Sequence, residues 1–510
     1  MLNSRVQKYY YFLKPQNPKE KNYMKYKIYS KNKASHFIDV ECSIEKFSSQ
    51  VVELQLPTWR PGRYELQNFA KNIQSFEVFD ENNQKLKASK ITKDRWKVQT
   101  NGATRIVAKY NYYAKVINAG SSFVDENILY VNPVNLCIYA EGYINEPCTL
   151  ELYKTDNQEI AGLNDHQKLD NEKVNIPFND FYHLADSPFI VSSNLKHDFY
   201  EVGKVKFNIW FEGTGAANRL SREYLHQIKT DFKKFTEEQI KLFGEFPEKS
   251  YHFITWILPI PYYHGVEHRS STMQVLGPDS EDFCSSPPAE LYIDLLGLAS
   301  HELFHAWNIC KLRPVELLPY DYTKENYFST CFVAEGVTTY YGDLMLYRSG
   351  VFDKNQYFKE LEAYYKRHFD QADHASQSLI ESSWDLWLDG YTQSIPDRKV
   401  SVYHKGAIAA QILDLHIQRI SVKTCSIDNV MALMWQRFGK SEYGTPLKGY
   451  TLQDYKDICG EVAKESLDWY FEKCIFGTES LFDLLNNYLQ DIDLQIVRNE
   501  EGLVKLEILN

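Results

Sequence analysis

The order of apolar and polar residues divides the chain into two regimes. From about residue 23 to 200 the apolar positions recur every second residue over short runs. Between His36 and Ile44, the residues Ile38, Val40, Cys42 and Ile44 alternate with Asp39, Glu41 and Ser43, which predicts a strand buried on one face. Similar runs occur at 51–56, 75–79, 105–113 and 148–153, and Pro61-Gly62 and Glu81-Asn82-Asn83 supply turn chemistry between runs. The pattern predicts a β-sandwich-like domain over 23–200, preceded by a polar, Lys-rich lead-in over 1–22.

Near Gly213 the period lengthens. Leu220, Tyr224, Leu225, Ile228, Phe232 and Phe235 recur at helical spacing, and Gly244 and Pro247 close the segment, which predicts a helix over about 216–244. A strand is predicted over 251–258, with a further strand over 265–276. From Glu290 to about 475 the pattern is mostly helical, with segments at 290–308, 327–348, 354–372, 403–420, 426–437, 451–458 and 465–473. Strands followed by helices predict a multidomain α+β chain, with a second, mostly helical domain over 201–475. Residues 476–510 hold a short helical pattern at 481–489 and a polar–apolar alternation, too little for a domain of its own.

Composition narrows the function classes. Apolar residues at 44% and charged residues at 25% are those of a globular chain, and 37 Tyr and 29 Phe among 510 residues suit a β-rich part. A net charge of -11 repels nucleic acid and anionic membrane, so neither is expected as a partner. The nine cysteines are scattered and form no C-x-x-C pair, which argues against a disulfide framework or a cysteine zinc site. Residues 1–14 lack the apolar core of a signal peptide, and no apolar run reaches the length of a membrane span. The expected location is cytoplasmic.

The decisive segment is Ser300-His301-Glu302-Leu303-Phe304-His305. Two histidines four residues apart share one helix face, so both imidazoles can reach one ion. Glu302 follows the first ligand by one position, beside the metal rather than on it, where it can take a proton from the attacking water. A catalytic zinc needs a third protein ligand and an open position. Glu335 is the best candidate. It lies in an apolar helical segment between Ala334 and Gly336, small residues that allow close helix packing, and a buried carboxylate needs a partner. Zinc suits these donors best, although ligand type alone also admits Mn, Co or Fe.

With these residues in view, the chain resembles the glycyl aminopeptidase family of gluzincin zinc metallopeptidases. HELFHAWN (301–308), KLRP (311–314) and AEGVTTYYGDL (334–344) carry the resemblance. So do Tyr263-His264-Gly265-Val266-Glu267-His268, similar to a Gly-x-Glu-His motif, and Tyr403-His404-Lys405-Gly406, similar to a Tyr-x-Lys-Gly motif. PTWRPGRY (57–64) and LADSPF (184–189) resemble the family's N-terminal domain. The resemblance implies a β-sandwich-like domain followed by a thermolysin-like catalytic domain. It also implies removal of N-terminal residues from peptides, with a preference for Gly and Ala. Many relatives carry a C-terminal PDZ domain; a chain ending at Asn510 leaves no room for one, so the form without it is expected.

The remaining candidates follow from chemistry and resemblance together. Glu267 can hold the charged α-amino group of a peptide and so set the register, with Gly265, His268 and Arg269 as further substrate-binding candidates. Tyr403 can donate a hydrogen bond to the oxyanion of the tetrahedral intermediate, since a phenol stays neutral at pH 7. The expected partner is a peptide with a free N-terminus. Two alternatives stay open from sequence: a zinc endopeptidase or dipeptidase, and a non-catalytic peptide-binding protein with a structural metal.

Overall fold

The alternating runs form strands as their period requires. Phe37–Glu45 buries Ile38, Val40, Cys42 and Ile44 and leaves the residues between them partly exposed. It pairs antiparallel with Met24–Tyr29 and Arg105–Tyr113. These three lie within a seven-stranded sheet in the order Gln167–Lys168, Lys173–Phe178, Cys148–Tyr153, Met24–Tyr29, Phe37–Glu45, Arg105–Tyr113, Ile73–Asp80. Two four-stranded sheets, one containing Val51–Gln55 and Arg95–Gln99 and the other Ile128–Val131 and Phe189–Ser192, share a core with it. That core continues beyond the β-rich region and takes in Tyr320, Tyr322, Phe328, Ala334 and Trp387. The structure is a computed structural model and describes residues 24–509 except 48, 165–166, 171, 214–219, 280–289, 373, 393, 397 and 443. The lead-in over 1–22, the start of the helix expected from 216, and Cys284 lie outside the described residues.

A mixed five-stranded sheet opens the second half. Its strands are β1 (Lys196–Val202), β2 (Val205–Glu212), β3 (Ser250–Ile257), β4 (Tyr262–Glu267) and β5 (Ser271–Gly277), in the order β1-β2-β3-β5-β4. β2, β3 and β5 run parallel, while β1 and β4 pair antiparallel at the two edges. The strand that crosses residue 200 therefore belongs to this second sheet, not to the β-rich region before it. The single strand expected over 265–276 is a hairpin, and its first arm, β4, is an edge.

Helices cover the rest. α1 (Arg222–Phe243) starts where the Ser221 side chain accepts from the Tyr224 N–H and stops at Gly244, whose φ of +84° is a left-handed cap. α2 (Glu290–Phe304) ends on His301-Glu302-Leu303-Phe304, with His305 as the next residue, and is buried on most of its surface. It packs between the β4–β5 hairpin and α3 (Thr338–Arg348). α2 ends four residues before the expected 308 because the chain turns sharply after His305. Ile309 has a φ of +103°, an outlier for a β-branched residue. α3 is preceded by a π-turn, Phe332–Val337, where the sequence suggested a helix from 327.

α4 (Lys354–Phe369) is followed by α5 (Leu379–Asp389), which the sequence reading did not anticipate. Next come α6 (His404–Ile420), α7 (Ile427–Phe438) and α8 (Leu452–Ala463). The segment expected at 465–473 is a short turn of helix, Asp468–Tyr470, followed by a second π-turn, Phe471–Ile475. α9 (Phe482–Leu489) and the hairpin Leu494–Arg498/Val504–Ile508 add Leu485, Leu489, Leu494 and Val504 to the helical core. Among the described residues no helix is long and apolar enough to cross a membrane.

Candidate active site

α2 and the π-turn before α3 bring the expected metal-binding residues together. His301 and His305 face each other with their Nε2 atoms 3.1 Å apart. Glu335 Oε2 lies 3.4 Å from His305 Nε2 and 3.9 Å from His301 Nε2. A tetrahedral zinc with arms of about 2.0–2.1 Å has ligand–ligand edges of roughly 3.3–3.4 Å. The three measured edges bracket that value, and two imidazoles with one carboxylate are a catalytic zinc donor set, so these residues fit the ion. The π-turn sits at the ligand itself, as such bulges often do at functional sites.

The local sequence explains this placement. The turn after α2 puts the Asn308 carbonyl 2.9 Å from His305 Nδ1. That carbonyl accepts the Nδ1–H hydrogen bond and leaves Nε2 as the nitrogen turned toward His301 and Glu335. The Asn308 side chain donates to the Val333 carbonyl at 2.8 Å and to Thr338 Oγ1 at 3.0 Å, which ties the turn to the segment carrying Glu335. Gly336 abuts Gly406: a methyl group at Gly336 would lie 2.5 Å from the Gly406 Cα. This glycine pair lets the π-turn approach the start of α6, directly after Tyr403.

Glu302 is buried at 5% exposure, and its Oε2 is without a hydrogen-bond partner. Burial, with Glu267 and Glu335 nearby, pushes its carboxyl well above the usual range. The backbone of β4 passes against Glu302 at Gly265, where any Cβ would overlap Glu302 Oε1. Glu267, at the end of β4, is 9% exposed. One oxygen each of Glu267 and Glu302 and a ring nitrogen of His305 lie within 4.8 Å of one another. Burial and the Glu335 charge raise Glu267, against the opposing pull of His305.

The histidines differ in charge. Burial and the neighbouring His305 push His301 down to about 3. Burial would lower His305 as well, but the Glu335 carboxylate, with Glu267 and Glu302, pushes it up to about 10. Tyr403 stays a neutral donor, since burial and the nearby Glu335 and Tyr391 push its phenol well above 10.

His268 and Arg269 lie in the turn that follows Glu267. His268 is 4% exposed, and its Nδ1 lies 2.8 Å from Asp186 Oδ1. The Arg269 N–H donates to the other oxygen of Asp186 at 3.2 Å, and the guanidinium bonds Glu248, which also accepts from the buried Lys311 at 2.6 Å. These bonds tie both residues to the turn, and the buried His268 Nε2 has no hydrogen-bond partner. Asp186, from LADSPF, is the group that holds this turn.

Residues that the sequence reading did not single out also reach the site. The Tyr64 hydroxyl donates to Glu335 Oε1 at 2.7 Å. Arg60 is 1% exposed, and Glu267 is the foremost charge acting on it. Gly62 brings its backbone against the Glu267 carboxylate, where a methyl group would lie 2.5 Å from Oε2. Tyr391 interacts with Tyr403 and carries the Arg63 guanidinium over its ring at 4.2 Å. The first three lie in PTWRPGRY, so the motif itself was the available signal.

α2, Glu302 and the edge strand β4 lie side by side at this centre, in a mostly helical region that follows a β-rich one. The Peptidase M61 N-terminal domain matches residues 25–193, and the M61 glycyl aminopeptidase domain matches residues 294–409. The two matches together span more than half the chain, which belongs to the M61 glycyl aminopeptidase family and is a metallopeptidase. Among solved structures, an aminopeptidase N family protein from Idiomarina loihiensis is 27% identical, with a TM-score of 0.85 over 93% of this chain and 79% of that one. An M1 zinc metallopeptidase from Deinococcus radiodurans, 13% identical, has a TM-score of 0.51 over 90% of this chain and 95% of that one, a likeness of fold. No curated protein matches significantly.

Proposed function

We propose that the chain is an aminopeptidase that holds one zinc ion on His301, His305 and Glu335 and uses Glu302 as its general base. The observation that carries this reading is the meeting of three zinc-spaced donors with a buried carboxylate, Glu302, whose Oε2 has no other partner. When bound, zinc supplies Lewis acidity toward a water and the scissile carbonyl. Glu302 takes the proton of the attacking water and later delivers it to the leaving amine. Tyr403 donates a hydrogen bond to the oxyanion that develops at the carbonyl. Glu267 binds the substrate's α-ammonium, so that the first peptide bond alone comes into line with Glu302.

The preference for Gly or Ala at the first position is part of this proposal and rests on the family. A cytoplasmic location is supported by the eight described cysteines, all unpaired thiols and seven of them buried. The test compares alanyl p-nitroanilide with its N-acetylated form, and wild type with Glu302→Gln. The wild type should cleave the free amine only. Glu302→Gln should keep its zinc and lose about 10²–10⁴-fold in kcat. Equal cleavage of the acetylated substrate would favour an endopeptidase, and a Glu302→Gln enzyme of normal activity would remove Glu302 from the mechanism.

A further inference from the structure

The β-rich half does more than cover the catalytic half. Its turn at 60–64 enters the metal centre, and Tyr64 is the residue that makes contact there. Pro61 and Gly62, the latter with a φ of +74°, reverse the chain so that Tyr64 points inward. The ring is held by aromatic neighbours from the second half, tilted against Phe328 at 5.8 Å and edge-on to Trp387 at 6.0 Å. Tyr64 is 3% exposed, so its hydroxyl must find a partner within the protein. That partner is Glu335 Oε1, at 2.7 Å, across 271 residues of sequence.

The bond divides the work of the Glu335 carboxylate. Oε1 accepts from Tyr64, while Oε2 faces the two histidine nitrogens. A glutamate carboxylate, at the end of three rotatable bonds, can present either oxygen, or both, to a metal. We infer that Tyr64 is a positioning residue for the metal centre: its hydroxyl fixes Glu335 so that one oxygen alone is presented to the ion. The inference rests on Glu335 being a zinc ligand. It makes a group in the β-rich half part of the machinery that retains the metal, a role that packing between the halves would not give it. Groups that orient a metal ligand from behind typically change metal affinity by 10–100-fold when removed.

Tyr64→Phe deletes the hydroxyl and keeps the ring between Phe328 and Trp387. Zinc affinity of the metal-free protein is measured by competition with a chromogenic chelator, beside Trp59→Phe and Glu335→Gln. Trp59 belongs to the same aromatic cluster, 5.4 Å from Trp387, but bonds the Asp321 carbonyl rather than Glu335. Tyr64→Phe should weaken zinc binding about 10–100-fold, and saturating zinc should restore most of its activity. Trp59→Phe should bind zinc as the wild type does. Unchanged affinity in Tyr64→Phe would overturn the inference, as would an equal loss in Trp59→Phe, which would assign the effect to packing. Wild-type affinity in Glu335→Gln would instead remove Glu335 from the ligand set, a failure of the underlying reading that this arm detects by itself.

Discussion

Gly265 offers a direct probe of how the strand edge positions the base. Its φ lies outside the left-handed region, so alanine is free to adopt its backbone, and the effect of Gly265→Ala is one of space alone. The new methyl would overlap Glu302 Oε1 and lie 2.7 Å from Leu298 Cδ1 and 2.8 Å from Glu302 Cδ. Ordinary carbon contacts are about 3.5–4.0 Å, so something must move by roughly 1 Å. β4 is bonded to the sheet on one side only, through β5, while α2 is locked in the core. The strand and the Glu302 side chain will therefore share the displacement.

Overpacking of this size costs about 1–3 kcal/mol of stability. A misplacement of about 1 Å between base and substrate costs on the order of 10²-fold in rate. The metal ligands are not touched. Gly265→Ala should therefore contain the zinc of the wild type, melt a few degrees lower and show kcat on alanyl p-nitroanilide reduced about 100-fold. The assay is steady-state kinetics beside metal analysis of the same preparation. A kcat within about threefold of the wild type at equal zinc content would refute the reasoning, because a 1 Å displacement at the base should cost far more.

Gly336→Ala tests the glycine contact behind Glu335. Its methyl would lie 2.5 Å from Gly406 Cα and 2.9 Å from the Val402 carbonyl, so it should lower both the melting temperature and zinc retention, and normal values of both would refute the close approach. The charge on His305 gives a pH signature. Its pKa in the metal-free fold is raised to about 10 from 6.5, so the pair with Glu335 contributes stability that is fully present below about pH 6.5 and lost as pH rises through about 10. The melting temperature of the metal-free protein should therefore fall over that window. Zinc uptake near pH 7.5 should release about one proton, read by calorimetry in buffers of different ionisation enthalpy, and zero release would contradict a protonated His305.

The part of the site that lies close together in sequence was legible. His301 and Glu302 lie on the last turn of α2 and His305 directly follows it, so near-helical spacing brings the two imidazoles together. Glu335 was reachable because a carboxylate flanked by Ala334 and Gly336 in an apolar segment has few partners other than a metal. The strand at 37–45 was legible because it buries alternate positions over its full run. What was not legible depends on distant pairings. Tyr64, Asp186 and Asn308 act through contacts that periodicity does not encode, such as the 271-residue separation of Tyr64 and Glu335. The break between β4 and β5 was hidden because the turn at 268–270, His-Arg-Ser, contains no Gly or Pro and is set by Asp186. α5 did leave a signal, since Ser378 and Glu381 form a capping box and Gly390 follows its end.

The central claim is that His301, His305 and Glu335 together hold the catalytic metal. The most direct measurement is zinc content by elemental analysis of purified wild type, His305→Ala and Glu335→Ala, with folding checked by circular dichroism. The account predicts about one zinc per wild-type chain and almost none in either folded variant, because a site of three protein ligands does not survive the loss of one. Full zinc retention in folded Glu335→Ala or His305→Ala would contradict it.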